Sequence, residues 1–175
     1  LSAGGLTAEV TLSPFGIAWL RAGEDKPFLQ DRTTQAYLMS PRTGAVSHFM
    51  ARDYTERHYG LGDKAGPLDR TGRRFAIDAV DPCGFDAELS DPLYKMLPFF
   101  IVDGPAGAHG IFYDNLSTGS VDFGCTLDNY HGLFRSWKGD DGDLDYYVMA
   151  GPSVPDVVKR FSWLTGGQAF APLWS

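Results

Sequence analysis

The chain has 175 residues, 43% of them apolar and 14% aromatic, and carries a formal net charge of −7. That length suits one globular domain burying roughly 70% of its unfolded surface. The acidity excludes a nucleic-acid partner, which needs a cationic footprint, and no apolar run reaches the roughly 20 residues of a membrane span.

Read in chain order, short segments with alternating or β-branched and aromatic content recur between clusters of Gly, Pro, Asn and Asp. The first strands are expected at Thr7–Leu12, Phe15–Arg21, Ala36–Met39 and Val46–Arg52. Further strands follow at Arg73–Asp78, Leu97–Asp103, Ala108–Asn115 and Gly119–Gly124, then at His131–Trp137 and Leu144–Ala150. Three joints read as hairpin turns: "AGEDKP" after the second strand, "DGPAG" between Leu97–Asp103 and Ala108–Asn115, and "KGDDGD" between the last two strands. So many short antiparallel strands indicate a β-sandwich.

One helix is expected, at the carboxy-terminal end. Ser153 suits the N-cap, and Pro155 and Asp156 suit the first turn. Val157, Val158, Phe161 and Leu164 fall on one apolar face, and Gly166 and Gly167 end the helix. The last residues, "QAFAPLWS", read as a connector into a further domain. The expected division is therefore a sandwich over residues 1–152 and a helix with connector over 153–175.

Two segments between the predicted strands invite a chemical reading. "YGLGDKAGPLDRTGRR" (Tyr59–Arg74) has glycines and a lysine, as a phosphate loop does. A phosphate loop, however, ends Gly-Lys-Ser/Thr after four intervening residues, whereas Lys64 follows Asp63 and precedes Ala65. The glycines are expected to turn the chain instead. The next segment, "VDPCGFDAELSDPLYKMLPFF", crowds Asp81, Asp86, Glu88 and Asp91 behind Asp78 in a long Pro-punctuated loop. Such a loop invites a role at an interface or a pocket. "DDGDLD" (Asp140–Asp145) lacks the bidentate twelfth-position Glu of a calcium loop, so a solvated turn is expected and no metal site. His48, His58, His109 and His131 form no metal-binding or protease motif. Cys83 and Cys125 are expected as buried, unbonded thiols in a reducing compartment, and the localisation as cytoplasmic.

"HYGLGDKAGPLDRTGRR" followed by "DPLYKMLPFFI" resembles the amino-terminal domain of glycoside hydrolase family 31, the α-glucosidase and α-xylosidase family. The likeness continues through "GIFYDNLSTGSVDFG", "YYVMAGPSVPDVVKRFSWLTG" and "PLW". The resemblance implies a galactose-mutarotase-like antiparallel β-sandwich ahead of a (β/α)8 catalytic barrel in the same polypeptide. It places the nucleophile, an Asp followed by Met, in that barrel; no Asp-Met occurs here. No catalytic residue, metal or cofactor is therefore expected in this chain, which alone should be inactive. Asp81 matches the family's Asp near bound sugar and is the expected substrate-binding residue, with an α-glycoside or oligosaccharide as partner. Around it the chain departs from the family pattern. Ala79-Val80 replaces the usual Asn-Thr, Pro82-Cys83 replaces Ala-Tyr, and one extra residue precedes Asp91. Two other readings suit a sandwich: a free-standing carbohydrate-binding module, or an aldose epimerase with a His acid and carboxylate base in one groove.

Overall fold

In Val46–Ala51 (β6) the side chains of Val46, His48 and Met50 are buried, and those of Ser47 and Phe49 between them are half-exposed. That period of two is the signature of a strand with one face on a core. The computed structural model describes residues 1–167, 169 and 171–174. Among these residues it is mainly β, with thirteen strands in three antiparallel sheets and one helix.

The first sheet orders Ser2–Ala3 (β1), Leu6–Leu12 (β2), Phe15–Arg21 (β3) and Leu29–Gln30 (β4). The second orders Tyr146–Gly151 (β13), Gly107–Tyr113 (β10), Met96–Gly104 (β9) and Arg57–Gly62 (β7). In the third, Tyr37–Met39 (β5) pairs with β6, followed by Phe134–Gly139 (β12), Gly119–Asp122 (β11) and Arg74–Ile77 (β8). The inward residues of the second sheet, Phe100, Val102, Ile111 and Tyr113, meet Met50, Phe75, Val121 and Trp137 of the third. Tyr113 and Trp137 stack with ring centroids 4.3 Å apart and planes within 4°. Fully burying side chains of this size contributes roughly 1.5–3 kcal/mol each, which makes this interface the main stabilising layer.

The ten expected strands are all present, with ends shifted by a few residues. Three more were not anticipated: β1, β4 and β7. β7 corrects the reading of the Gly-rich segment, because Arg57–Gly62 is a strand paired with β9 before the chain turns. The register slips between Gly60 and Gly62, where Leu61 takes a φ of 71°. The glycines serve that bulge. A Cβ on Gly60 would meet the Phe99 carbonyl at 2.6 Å, and one on Gly62 the Lys95 carbonyl at 2.6 Å.

"KGDDGD" is also corrected. It does not close a hairpin, because β12 pairs with β6 and β11 while β13 pairs with β10 in the other sheet. The segment instead crosses between layers, held by the Asn115 amide, which donates to the carbonyls of Asp141 (2.9 Å) and Asp143 (3.0 Å).

The helix, Val154–Thr165 (α1), packs on β9, β10 and β13. Its buried side is Val157 with Val154 and Phe161, the last stacked on Phe99 at 3.9 Å. Val158 and Leu164 are exposed, so the apolar face is narrower than its sequence pattern suggests. Ser153 stands at the N-cap, but its hydroxyl donates to the Asp156 carboxylate (2.5 Å) instead of accepting a helix N–H. Part of the expected connector, Gln168, Phe170 and Ser175, lies outside the described residues. Both cysteines are unbonded as expected, yet exposed and not buried, because each sits in a surface loop.

Candidate functional site

The Gly-rich and acidic segments are neighbours in space, and one ion pair joins them. Lys64, its side chain fully buried, donates to the Asp91 carboxylate (2.8 Å) and to the Ala76 carbonyl (2.6 Å). The other Asp91 oxygen accepts the Ala76 N–H at 2.6 Å. A buried ammonium must be paired and hydrogen-bonded to be tolerated, and here it is both. Lys64 is therefore committed to the loop's base and not to a phosphate.

The rest of the 63–73 segment is a brace. Buried Arg70 donates to the carbonyls of Lys64 (3.2 Å), Ala65 (3.1 Å) and Pro67 (2.7 Å). Arg73 spans from the Ala65 carbonyl (3.1 Å) to the Glu88 carbonyl (3.2 Å), and the Gly66 N–H donates to Ala87 at 2.7 Å. Across the neck of the acidic loop the Val80 N–H donates to the Leu93 carbonyl (3.1 Å). Beyond the neck, Asp86 closes its own turn by accepting the N–H groups of Glu88 (2.8 Å) and Leu89 (2.9 Å). The loop is thus pinned at its base, its neck and one internal turn.

The five carboxylates divide by what they touch. Asp91 is spent on Lys64 and Ala76, Asp86 on its turn, and Asp78 on the Ala79 N–H at 2.8 Å. Asp81 and Glu88 are exposed, and their carboxylates make no hydrogen bond or ion pair among the described residues. Glu88 rides on the braced turn, whereas Asp81 follows the neck directly. The same loop also exposes Val80, Phe85, Leu89 and Tyr94. A loop carrying a free carboxylate and exposed apolar and aromatic groups can offer acceptors to hydroxyls and rings to C–H surface.

The histidines serve the interior. His48 bonds Asp31 through Nε2 (2.7 Å) and the Tyr113 hydroxyl through Nδ1 (2.8 Å), and Asp31 also accepts from Tyr37 (2.5 Å) and the Ile17 N–H (2.8 Å). Burial and the neighbouring Asp31 and Tyr146 hold the Tyr37 phenol far above its ordinary range. His58 and His109 are buried too, and Arg135, paired with Glu56 at 2.6 Å, donates to His109 (3.4 Å). His131 is exposed, beside Asp128 at 2.9 Å.

These features match known proteins. Residues 1–122 fit the family model described as the glycosyl hydrolase 31 N-terminal galactose mutarotase-like domain. The chain belongs to that family. Among curated proteins, this family-31 domain is 34% identical over 132 residues to an alpha-glucosidase 2 of Bacillus thermoamyloliquefaciens, covering 75% of this chain and 16% of that protein. It is 31% identical over 120 residues to an alpha-xylosidase of Emericella nidulans, covering 69% of this chain and 14% of that one. Among solved structures it is similar to a Flavobacterium johnsoniae GH31 dextranase complexed with glucose. The TM-score there is 0.81 at 25% identity, over 97% of this chain and 20% of that one. The family-31 domain thus spans about a sixth of the curated relatives it matches. No helix among its described residues is long and apolar enough to cross a membrane.

Proposed function

We propose that this domain is the non-catalytic sandwich of a longer glycosidase and that its 78–95 loop completes a sugar pocket on a neighbouring (β/α)8 barrel. On this reading residues 1–152 form the sandwich and 153–175 lead into the barrel. The whole enzyme hydrolyses α-glycosidic bonds with retention, using two barrel carboxylates and no cofactor. Support comes from relatives that are α-glucosidases and an α-xylosidase several times longer than this chain. The two exposed, unbonded cysteines favour a reducing, cytoplasmic compartment.

One observation carries the reading: in a loop pinned at base and neck, Asp81 alone beyond the neck is neither structurally engaged nor held on the braced turn. Its role is to accept hydrogen bonds from sugar hydroxyls, not to move protons. Asp81→Ala in the whole enzyme removes a charge-assisted hydrogen bond, so kcat/KM on an aryl α-glucoside should fall about 10- to 100-fold with the melting temperature unchanged. An unchanged kcat/KM removes Asp81 from the pocket. The domain alone should not turn over that substrate; turnover would refute the assignment of roles.

A further inference from the structure

The outward face of the third sheet is a polar trough with no assigned role. The register places Ser47 beside Lys138 and Lys138 beside Ser120, with Phe49, Ser136, Asp122 and Arg74 in the next row. These side chains, with Phe134 at one end, line a cavity of about 400 Å³. That volume falls in the roughly 300–1,000 Å³ range of small-ligand clefts.

Three aspects of its chemistry narrow the ligand. The hydroxyls of Ser47, Ser120 and Ser136 are half-buried and make no hydrogen bond among the described residues. Three small donor-acceptors on adjacent strands therefore face outward with their capacity unused. Charge does not favour an anion. Lys138 is paired with Asp140 (2.6 Å) and Arg74 with Asp122 (2.9 Å), and Asp122 also accepts from Thr126 (2.6 Å). The cations are neutralised in place, so a phosphate or sulfate meets no free positive charge. Among the lining residues, Phe49 and Phe134 sit 6.0 Å apart at 53°. Phe134 itself is buried, with the Arg32 guanidinium over its ring, 4.7 Å from the ring centre, so it holds Phe49 in place. The half-exposed ring of Phe49 beside a floor of free hydroxyls suits a ligand with C–H faces and neutral hydroxyl edges.

We propose that this trough is a second carbohydrate site, holding one or two rings of a neutral oligosaccharide on the sandwich itself. It is built of other residues than the 78–95 loop and does not rest on the role given to Asp81. The site would keep a polymeric substrate near the enzyme without touching the reacting bond.

The test uses the whole polypeptide in native gels cast with soluble starch or dextran, with activity on a small aryl α-glucoside measured in parallel. Ser136→Leu fills the trough from its centre, and Ser47→Leu does so independently from a neighbouring strand. Wild type and Asp81→Ala should both be retarded by at least one polymer. Each Leu variant should bind it about tenfold more weakly, the equivalent of losing one or two hydrogen bonds, with small-substrate activity intact. A wild type that migrates freely in both polymers overturns the proposal, as does undiminished retardation of a folded, active Leu variant. Retardation abolished by Asp81→Ala alone would place all binding at the loop and overturn it as well.

Discussion

At the scale of single residues, the buried histidines set the domain's response to acid. Burial pushes the His58 imidazole down to about 2, with Arg135 and Arg52 adding repulsion. His109 is pushed well below its ordinary range by burial and by Arg135. Both are neutral in the folded chain, so below about pH 6.5 the unfolded chain binds more protons than the folded one. Their contribution is complete above that pH and is lost as the pH falls through it, by about 1.4 kcal/mol per pH unit for each histidine. The urea midpoint should therefore drop clearly between pH 7.5 and pH 5, and His58→Gln should show about half that slope. A midpoint flat over that interval would contradict the burial of neutral histidines. The buried state of these residues was only partly legible in the sequence. The sequence placed His48 within an expected strand without saying which way it faces, and nothing local announced Arg135, whose partner Glu56 lies 79 positions away.

At the scale of elements, the pinned loop depends on one pair drawn from two segments. Removing one partner of a buried ion pair strands the other, at a cost of about 3 kcal/mol. Lys64→Met should lower the urea midpoint by that equivalent and speed amide exchange at Ala76, Val80 and Gly66, which hold the loop's base and neck. Unchanged exchange at those amides would show that the loop is held by something else. Strands with period-two alternation were readable from the sequence because burial is local to each face. Arg57–Gly62 was not, because its glycines carry no side chain to alternate and its bulge exists only against β9. The helix was readable, and its buried face in part. Val157 and Phe161 of the expected face pack on the sheet together with Val154, whereas Val158 and Leu164 lie exposed.

At the scale of the whole molecule, the family was legible because its signature residues do structural work that leaves little freedom. Lys64, Arg70 and Asp91 each complete a bond within the loop brace. The division into three sheets was not legible, because "KGDDGD" has the composition of a hairpin tip and pairing partners far along the chain decide where it leads. The central claim is that the 78–95 loop faces a sugar held mainly by another domain. A crystal structure of the whole polypeptide with a bound α-glycoside measures this most directly. The expected result is an Asp81 carboxylate oxygen within about 3.2 Å of a sugar hydroxyl. A loop lying more than about 6 Å from any sugar atom, beyond even a bridging water, would contradict it.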